Sequence, residues 1–553
     1  MSCIYWLKRD FRLHDNPALT AALTEHQRVL PLFVLEPSAL LAPETSELHV
    51  HAQCDAYSGL HRDLARHGGE LCFAQAEVVS LLEALYAAAP FTHLVSHQET
   101  GGNRTYDRDR AVADWCRHRS VNWTEHLQTG VFRGSVDRDR RHRAWERFTK
   151  SPLLPAPGGL ERCGPTPAQR AVLDRYPARP VAVTDWRRAP TEDFAPAAPP
   201  PHAEVWLPDP ALLGSRAPAV LRPSDFGFRL SPAQEAHVQP VNEAAARDTL
   251  ASFMHERALD YSKGMSSPSS AFYRCSRLSV HLAWGSLSLR TAYQTVDAYV
   301  GELRDRSGGD AGAEKRAKTL ARNLRSFLSR LHWHDHFTQR LETEVEMEYR
   351  PLNPNFWELK LEDDPAKLDA WITGRTGYPM VDACIRCLHV TGYVNFRMRA
   401  MLTSVATHTL HLDFRSIDKP MARLYTDYEP GIHLAQLQMQ AGTVGINTLR
   451  AYSPEKQFTD HDPAAHFVHR WVPELRPYSA REIADRDLGQ GLGDYPAAVV
   501  SDRTERVRTY KKLLGDLKFR PGGREITERV FAKHGSRRGP RRRKSAPAKT
   551  TRE

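Results

Sequence analysis

Residues 3–19 read Cys3-Ile4-Tyr5-Trp6-Leu7-Lys8-Arg9-Asp10-Phe11-Arg12-Leu13-His14-Asp15-Asn16-Pro17-Ala18-Leu19. The first five side chains are apolar or aromatic and read as a strand, and the run stops at Lys8 and Arg9. Residues 29–35, 71–74, 93–96 and 121–125 repeat the pattern of a short apolar strand. Amphipathic helices are expected between them, around residues 49–66, 78–88 and 106–118. Strands alternating with helices of this length predict a doubly wound parallel sheet over residues 1–130. No Gly-x-Gly-x-x-Gly or Walker-type loop follows any strand, so this part carries no motif for a nucleotide phosphate.

A chain of 553 residues is too long for one ordinary core, and two or three domains are expected. Its 41% hydrophobic and 26% charged residues are those of a globular protein, with no stretch resembling a membrane span. Lys8 and Arg9 interrupt the apolar opening too early for a signal peptide. Eight cysteines in such a length do not make a disulfide framework, so a reducing cytoplasm is expected; separately, the chain is expected to be a monomer. The 76 Lys and Arg outnumber the 66 Asp and Glu, giving a charge of +10. This excess suits a polyanionic partner. It equally suits a basic protein from a genome biased toward Arg, Ala and Pro.

Residues 131–239 read as an interdomain connector. Eleven prolines fall from Pro177 to Pro223, including Pro199-Pro200-Pro201. Trp186, Phe194, Trp206 and Leu207 are candidates to pin the connector to a surface. From 240 to 515 the pattern is helical, with helices expected at 244–257, 287–300, 317–331, 379–388, 395–408 and 502–514. Val394, Met398, Met401, Leu402 and Val405 form one apolar stripe. Residues 516–553 read as a basic, disordered tail with Arg537, Arg538, Arg541, Arg542, Arg543 and Lys544 close together.

The stretch Trp6–Leu19 resembles the opening motif of the DNA photolyases and cryptochromes. Further motifs follow in the order of that family. They are Tyr261, then Ser276-Arg277-Leu278-Ser279 with Gly285, the segment around Trp333, and Thr376-Gly377-Tyr378-Pro379 with Asp382. Thr391-Gly392-Tyr393 leads into Arg397-Met398-Arg399, and Asp427 opens the next segment. Arg470-Trp471-Val472-Pro473-Glu474-Leu475 and Asp494-Tyr495-Pro496 close the set. The resemblance spans about residues 1–515. It implies an α/β antenna-type domain followed by a large all-α FAD-binding domain, and a deoxyribodipyrimidine photolyase-type lyase acting on UV-damaged DNA with the lesion flipped out.

The resemblance also distributes roles. Tyr261, Ser276, Arg277, Leu278, Ser279, Asn395, Arg399, Asp427, Glu429 and His433 fall at cofactor-binding positions. Hydroxyls and N–H groups at a helix start suit a pyrophosphate; the tetrapeptide alone favours an ordinary helix cap, and the surrounding motifs reverse that. Arg399 and Asp427 stand where the family places a salt bridge over the flavin ring, and a guanidinium there favours a negatively charged reduced ring. Trp333 matches the lesion-stacking tryptophan, and Arg397 and Arg450 match phosphate-contacting positions; a core tryptophan and two solvated arginines are the plainer alternative.

Several positions depart from the family. The lesion-binding carboxylate falls at Arg330, the asparagine beside flavin N5 at His433, and an aspartate at the N3 edge at Glu429. The second lesion-stacking tryptophan falls at Met439. The photoreducing tryptophans fall at Leu437, Phe414 and Leu361, leaving Trp333, Trp357, Trp371, Tyr393 and Tyr428 as other routes. Cys275, Cys384 and Cys387 are too few for a four-cysteine iron–sulfur cluster, so buried core thiols are expected. Residues 97–103 sit at a strand end where a folate or deazaflavin antenna is implied by relatives, with no matching pocket residues. Light-driven repair is therefore weighed against a cryptochrome-like light receptor and a flavin- or DNA-binding homologue without photochemistry.

Overall fold

A computed structural model describes residues 2–134, 138–182, 213–216, 218–305, 310–362, 364–446 and 448–535. Five parallel strands form one sheet: β1 (Ser2–Leu7), β2 (Arg28–Val34), β3 (Cys72–Ala74), β4 (His93–His97) and β5 (Asn122–His126), in the order β3-β2-β1-β4-β5. The central strand pairs on both sides, with Ile4 opposite Leu30 and Leu94. Alternation sends Cys3, Tyr5 and Leu7 into one apolar cluster and Ile4 and Trp6 into another. Both faces of β1 are thus buried, which explains its unbroken apolar reading.

All five expected strands are present, with no end displaced by more than one residue. The helix Val78–Ala88 matches its expected bounds. The helix expected at 106–118 begins earlier, at Asn103, because Glu348 of the helical domain accepts from the Asn103 backbone N–H at 2.7 Å. The single turn Pro37–Leu40 was missed, and so was one longer helix, Pro17–Glu25. Its signal lay inside the quoted stretch: Asn16 accepts from Leu19 N and Pro17 occupies the first turn.

The stretch read as a connector is partly built into the domains. The helix Arg138–Lys150 packs Trp145 edge-on against Tyr293 of the helix Leu289–Asp305. Cys163 then bridges Val29 beside the sheet, and Pro167–Leu173 packs Val172 and Leu173 against Leu81 and Leu85. Pro199-Pro200-Pro201 and the four proposed pinning residues lie outside the described residues, as do Arg537 to Lys544. The tail reading is corrected over 516–535. The helix Arg503–Lys518 is followed by a further helix, Gly523–His534, held where Asn355 donates to Gly523 O and His534 meets Glu344.

The helical half is dominated by the 33-residue helix Ala311–Thr343, which extends the expected 317–331 in both directions. Asp310 caps its start by accepting from Ala313 N. The expected helices at 244–257 and 395–408 are each divided, with a wider π-type turn at Phe253–Arg257 and at Val405–Thr409. The stripe Val394, Met398, Met401, Leu402 and Val405 is fully buried, as its spacing predicts. Among the described residues no helix is long and apolar enough to cross a membrane.

The opening motif joins the two halves. Arg290 and Ser288 of the helical half both donate to the Asp15 carboxylate, and Leu13 N donates to Glu243 at 2.7 Å. Buried Arg12 donates to Gly285 O at 2.9 Å. Gly285 has φ +71°, and a Cβ there would meet Arg9 O at 1.8 Å. Gly285→Ala is therefore expected to cost at least about 1–2 kcal/mol from the backbone conformation alone. It should also loosen this junction, measured as a lower urea midpoint and faster proteolysis between the halves.

Candidate functional site

A cavity of about 270 Å³ opens among the helices, and Tyr261, Ser276, Arg277, Ser279, Arg399, Asp427, Glu429 and His433 all line it. These eight positions span 172 residues of chain (261 to 433), and only the packing of the helices brings them together.

One wall is the segment 275–279. Ser279 starts the short helix Ser279–Trp284 and hydrogen-bonds Asp427. Arg277 sits at φ +62°, a left-handed conformation that a non-glycine side chain rarely adopts. Its guanidinium stacks 3.6 Å from the Tyr393 ring centre, yet Nε and Nη1 are buried without a hydrogen-bond partner. Burial pulls its pKa below the ordinary arginine value. A buried guanidinium with two unmade hydrogen bonds at a cavity wall is matched by an anionic group entering the cavity. Leu278 points the other way, into the core.

Arg257, which sequence reading missed, holds this wall in shape. Its guanidinium donates to the carbonyls of Tyr273 (3.1 Å), Thr249 (2.9 Å) and Ser276 (3.1 Å), and also to Cys275 O. Burial draws its pKa down to about 10, with Arg277 nearby acting in the same direction.

Next to this wall, with Arg277 and Arg399 both over the Tyr393 ring, Arg399 and Asp427 form a two-point salt bridge, both N···O distances being 3.0 Å. Arg399 also donates to Val394 O at 2.9 Å and lies over the Tyr425 ring at 4.2 Å. Burial alone would raise the Asp427 carboxyl, but Arg399 and Ser279 hold it below the usual carboxylate range. The pair predicted from sequence is thus assembled, with its charge facing the cavity.

The floor joins two helices. His433 brings Nε2 within 3.0 Å of an Asp418 oxygen and packs edge-on against Tyr428. Glu429 precedes the helix Pro430–Ala441 and accepts from His334, another residue that sequence reading missed. No local pattern marks His334; it lies 95 residues from its partner.

Other expected residues lie outside the cavity wall. Asn395 turns away and donates to Met265 O (2.9 Å) and Ser266 O (3.0 Å), fixing that loop instead. Met439 does not line the cavity, although Leu437 on the same helix does. Arg330 meets the Tyr261 phenol from behind. Trp333 stands 40% exposed on the same helix face, packed on Phe337 at 5.6 Å, with exposed Phe396 at the cavity edge. Arg397 follows Phe396, and Arg450 is exposed. Cys384 and Cys387 are buried in the core, where burial pushes both thiols up, Cys387 to about 12. Of the alternative redox side chains, Trp371 is fully buried and donates to Leu402 O, Trp357 is surface-exposed, and Tyr393 and Tyr428 line the cavity.

A second, smaller crevice of about 110 Å³ lies at the ends of β1 and β4, where the strand order reverses. Arg108 there pairs with Glu99 at 2.6 Å and approaches Glu36 at 3.7 Å. Glu348 occupies the start of the helix Asn103–Arg119, where an anionic ligand group would otherwise sit.

The comparisons with known proteins agree with this arrangement. Residues 3–150 match the family model described as DNA photolyase, and residues 327–514 match the FAD binding domain of DNA photolyase. The deoxyribodipyrimidine photo-lyase of Vibrio cholerae is 26% identical over 535 residues, covering 93% of this chain and 100% of that protein. That of Escherichia coli is 26% identical over 526 residues, covering 92% and 97%. Among solved structures, the archaeal photolyase of Sulfolobus tokodaii with two FAD molecules has a TM-score of 0.69 at 21% identity, covering 93% and 100%. The cryptochrome of Synechocystis has a TM-score of 0.71 at 18% identity, covering 93% and 99%. Two family segments in the right order, relatives matched from end to end and a cavity built from the expected side chains lead to one conclusion: this chain belongs to the DNA photolyase/cryptochrome family.

Proposed function

We propose that this protein is a FAD-dependent DNA photolyase that repairs pyrimidine photoproducts in light. The observation that carries the reading is the cavity itself. It presents the unsatisfied Arg277 guanidinium, suited to a pyrophosphate, and near it the Arg399–Asp427 pair, suited to a flavin ring. When bound, reduced FAD supplies the electron that light transfers to the lesion. Arg277 and Ser279 bind the diphosphate, Arg399 favours negative charge on the ring, and Asp427 orients Arg399.

Trp333 is the surface aromatic for an extruded base, with Arg397 and Arg450 as phosphate contacts. Trp333→Ala is expected to weaken binding of dimer-containing DNA by about 1–3 kcal/mol, the value of one base–aromatic stack, and to leave the flavin spectrum unchanged. The decisive assay is loss of dimers under blue light with reduced flavin; no loss above a dark control would refute the reading.

A second reading, light sensing without repair, is favoured by Arg330, which the family resemblance sets at the lesion-binding carboxylate position and which Tyr261 engages. Flash photolysis of oxidised protein separates the two, since a sensor must reduce its flavin within microseconds while a repair enzyme need not. A folate or deazaflavin antenna in the smaller crevice would have to place its anionic part away from the helix start that Glu348 fills.

A further inference from the structure

The cavity floor contains one imidazole between two carboxylates. His334 Nδ1 lies 3.0 Å from an Asp335 oxygen, and Nε2 lies 2.8 Å from Glu429 Oε1. The other Asp335 oxygen is already committed, accepting from Gly130 N and Trp145 Nε1 at 2.8 Å each. A neutral imidazole has one N–H and one lone pair, so one of its nitrogens would face a carboxylate lone pair to lone pair. With both carboxyls ionised, only the doubly protonated ring satisfies both contacts. Burial alone would lower the pKa of this ring, but Glu429 and Asp335 push it up to about 10.

Glu429 is committed on one side only. It stands at the start of the helix Pro430–Ala441 without capping it, and its second oxygen, Oε2, accepts nothing from the described residues. The residue lines the cavity. A carboxylate is an acceptor only, so what it can recognise there is an N–H or O–H donor.

We propose that His334 is a fixed imidazolium and a positioning residue, holding the Glu429 carboxylate in the cavity at the N–H-bearing flavin edge that the family resemblance already gives it. This rests on the FAD reading of the cavity. The cation does a second thing. With it, the cluster of His334, Asp335 and Glu429 carries one net negative charge; without it, two, next to a ring that becomes anionic on reduction.

The test uses the full chain. In ¹⁵N-histidine NMR of the flavin-free protein at pH 8.5, an ordinary histidine is neutral. His334, assigned by the signal missing from His334→Gln, should show both nitrogens protonated. In FAD titrations, His334→Gln and Glu429→Gln should each weaken binding by about ten- to a hundredfold, the effect of one lost charge-assisted hydrogen bond. The double variant should be little worse than either single one, because the two act as a unit. His334→Gln should also make the flavin midpoint potential more negative, and His334→Lys, which returns a cation, should restore it. A neutral imidazole at pH 8.5 overturns the proposal. So do additive losses in the double variant, or a potential unmoved by His334→Gln. If the unaltered protein takes up no FAD, the cofactor reading fails instead, while the NMR result still reports the charge on His334.

Discussion

Asp427→Ala is expected to be among the most damaging single changes in the cavity wall, lowering the stability of the flavin-free protein by about 3 kcal/mol. The reason is what it leaves behind. Arg399 is held by Val394 O and by the ring of Tyr425, and losing the carboxylate strands its guanidinium with no counter-charge. The figure sits at the low end for a broken buried pair because a quarter of the Arg399 side chain reaches cavity water. Ser279 loses a partner at the same time. Urea unfolding of the purified flavin-free variant gives the stability change from the shift in midpoint at constant slope. A shift below a few tenths of a kcal/mol would show that Arg399 and Asp427 are not coupled.

Arg277→Met is expected to behave in the opposite way. Arg277 is already short of partners, with Nε and Nη1 buried and unbonded, so its charge is a burden on the flavin-free fold. Replacing the guanidinium with an apolar chain of similar length removes that burden and gives up the stacking on Tyr393 and Phe272 and the attraction of Asp427. The urea midpoint should therefore stay or rise. FAD affinity should fall by about 3–6 kcal/mol, the worth of two charge-assisted hydrogen bonds to a phosphate. Equilibrium dialysis and the yellow colour retained on desalting measure that loss. The pair of variants forms a useful contrast, one cavity arginine whose partner is in the chain and one whose partner is the ligand. Wild-type FAD affinity in Arg277→Met would remove the main argument for a diphosphate at this wall.

This contrast also shows where reading the chain reached its limit. Arg277 and Ser279 were singled out by resemblance, and both line the cavity, but nothing local indicated that Arg277 occupies a left-handed backbone position with two idle donors. Arg257 shapes the same wall through four carbonyls, and Asn395 fixes a loop where a cofactor contact was expected. A side chain's type limits what it can bond. Which carbonyl or carboxylate it meets depends on how the helices pack.

The order of residues alone determined the alternation of strands and helices in the first 130 positions, the two buried faces of β1 and the buried stripe from Val394 to Val405. These follow from unbroken apolar runs in the strands and from apolar side chains at a period of 3.6 in the helices, which each segment carries by itself. Only the tertiary structure decided that Glu348 begins the helix at Asn103, that the opening motif joins the two halves, and that His334 meets Glu429 across 95 residues. Charges and hydrogen-bond donors have no period. Their partners are selected when whole elements dock, because a buried polar group must be matched by whatever that docking brings within about 3 Å.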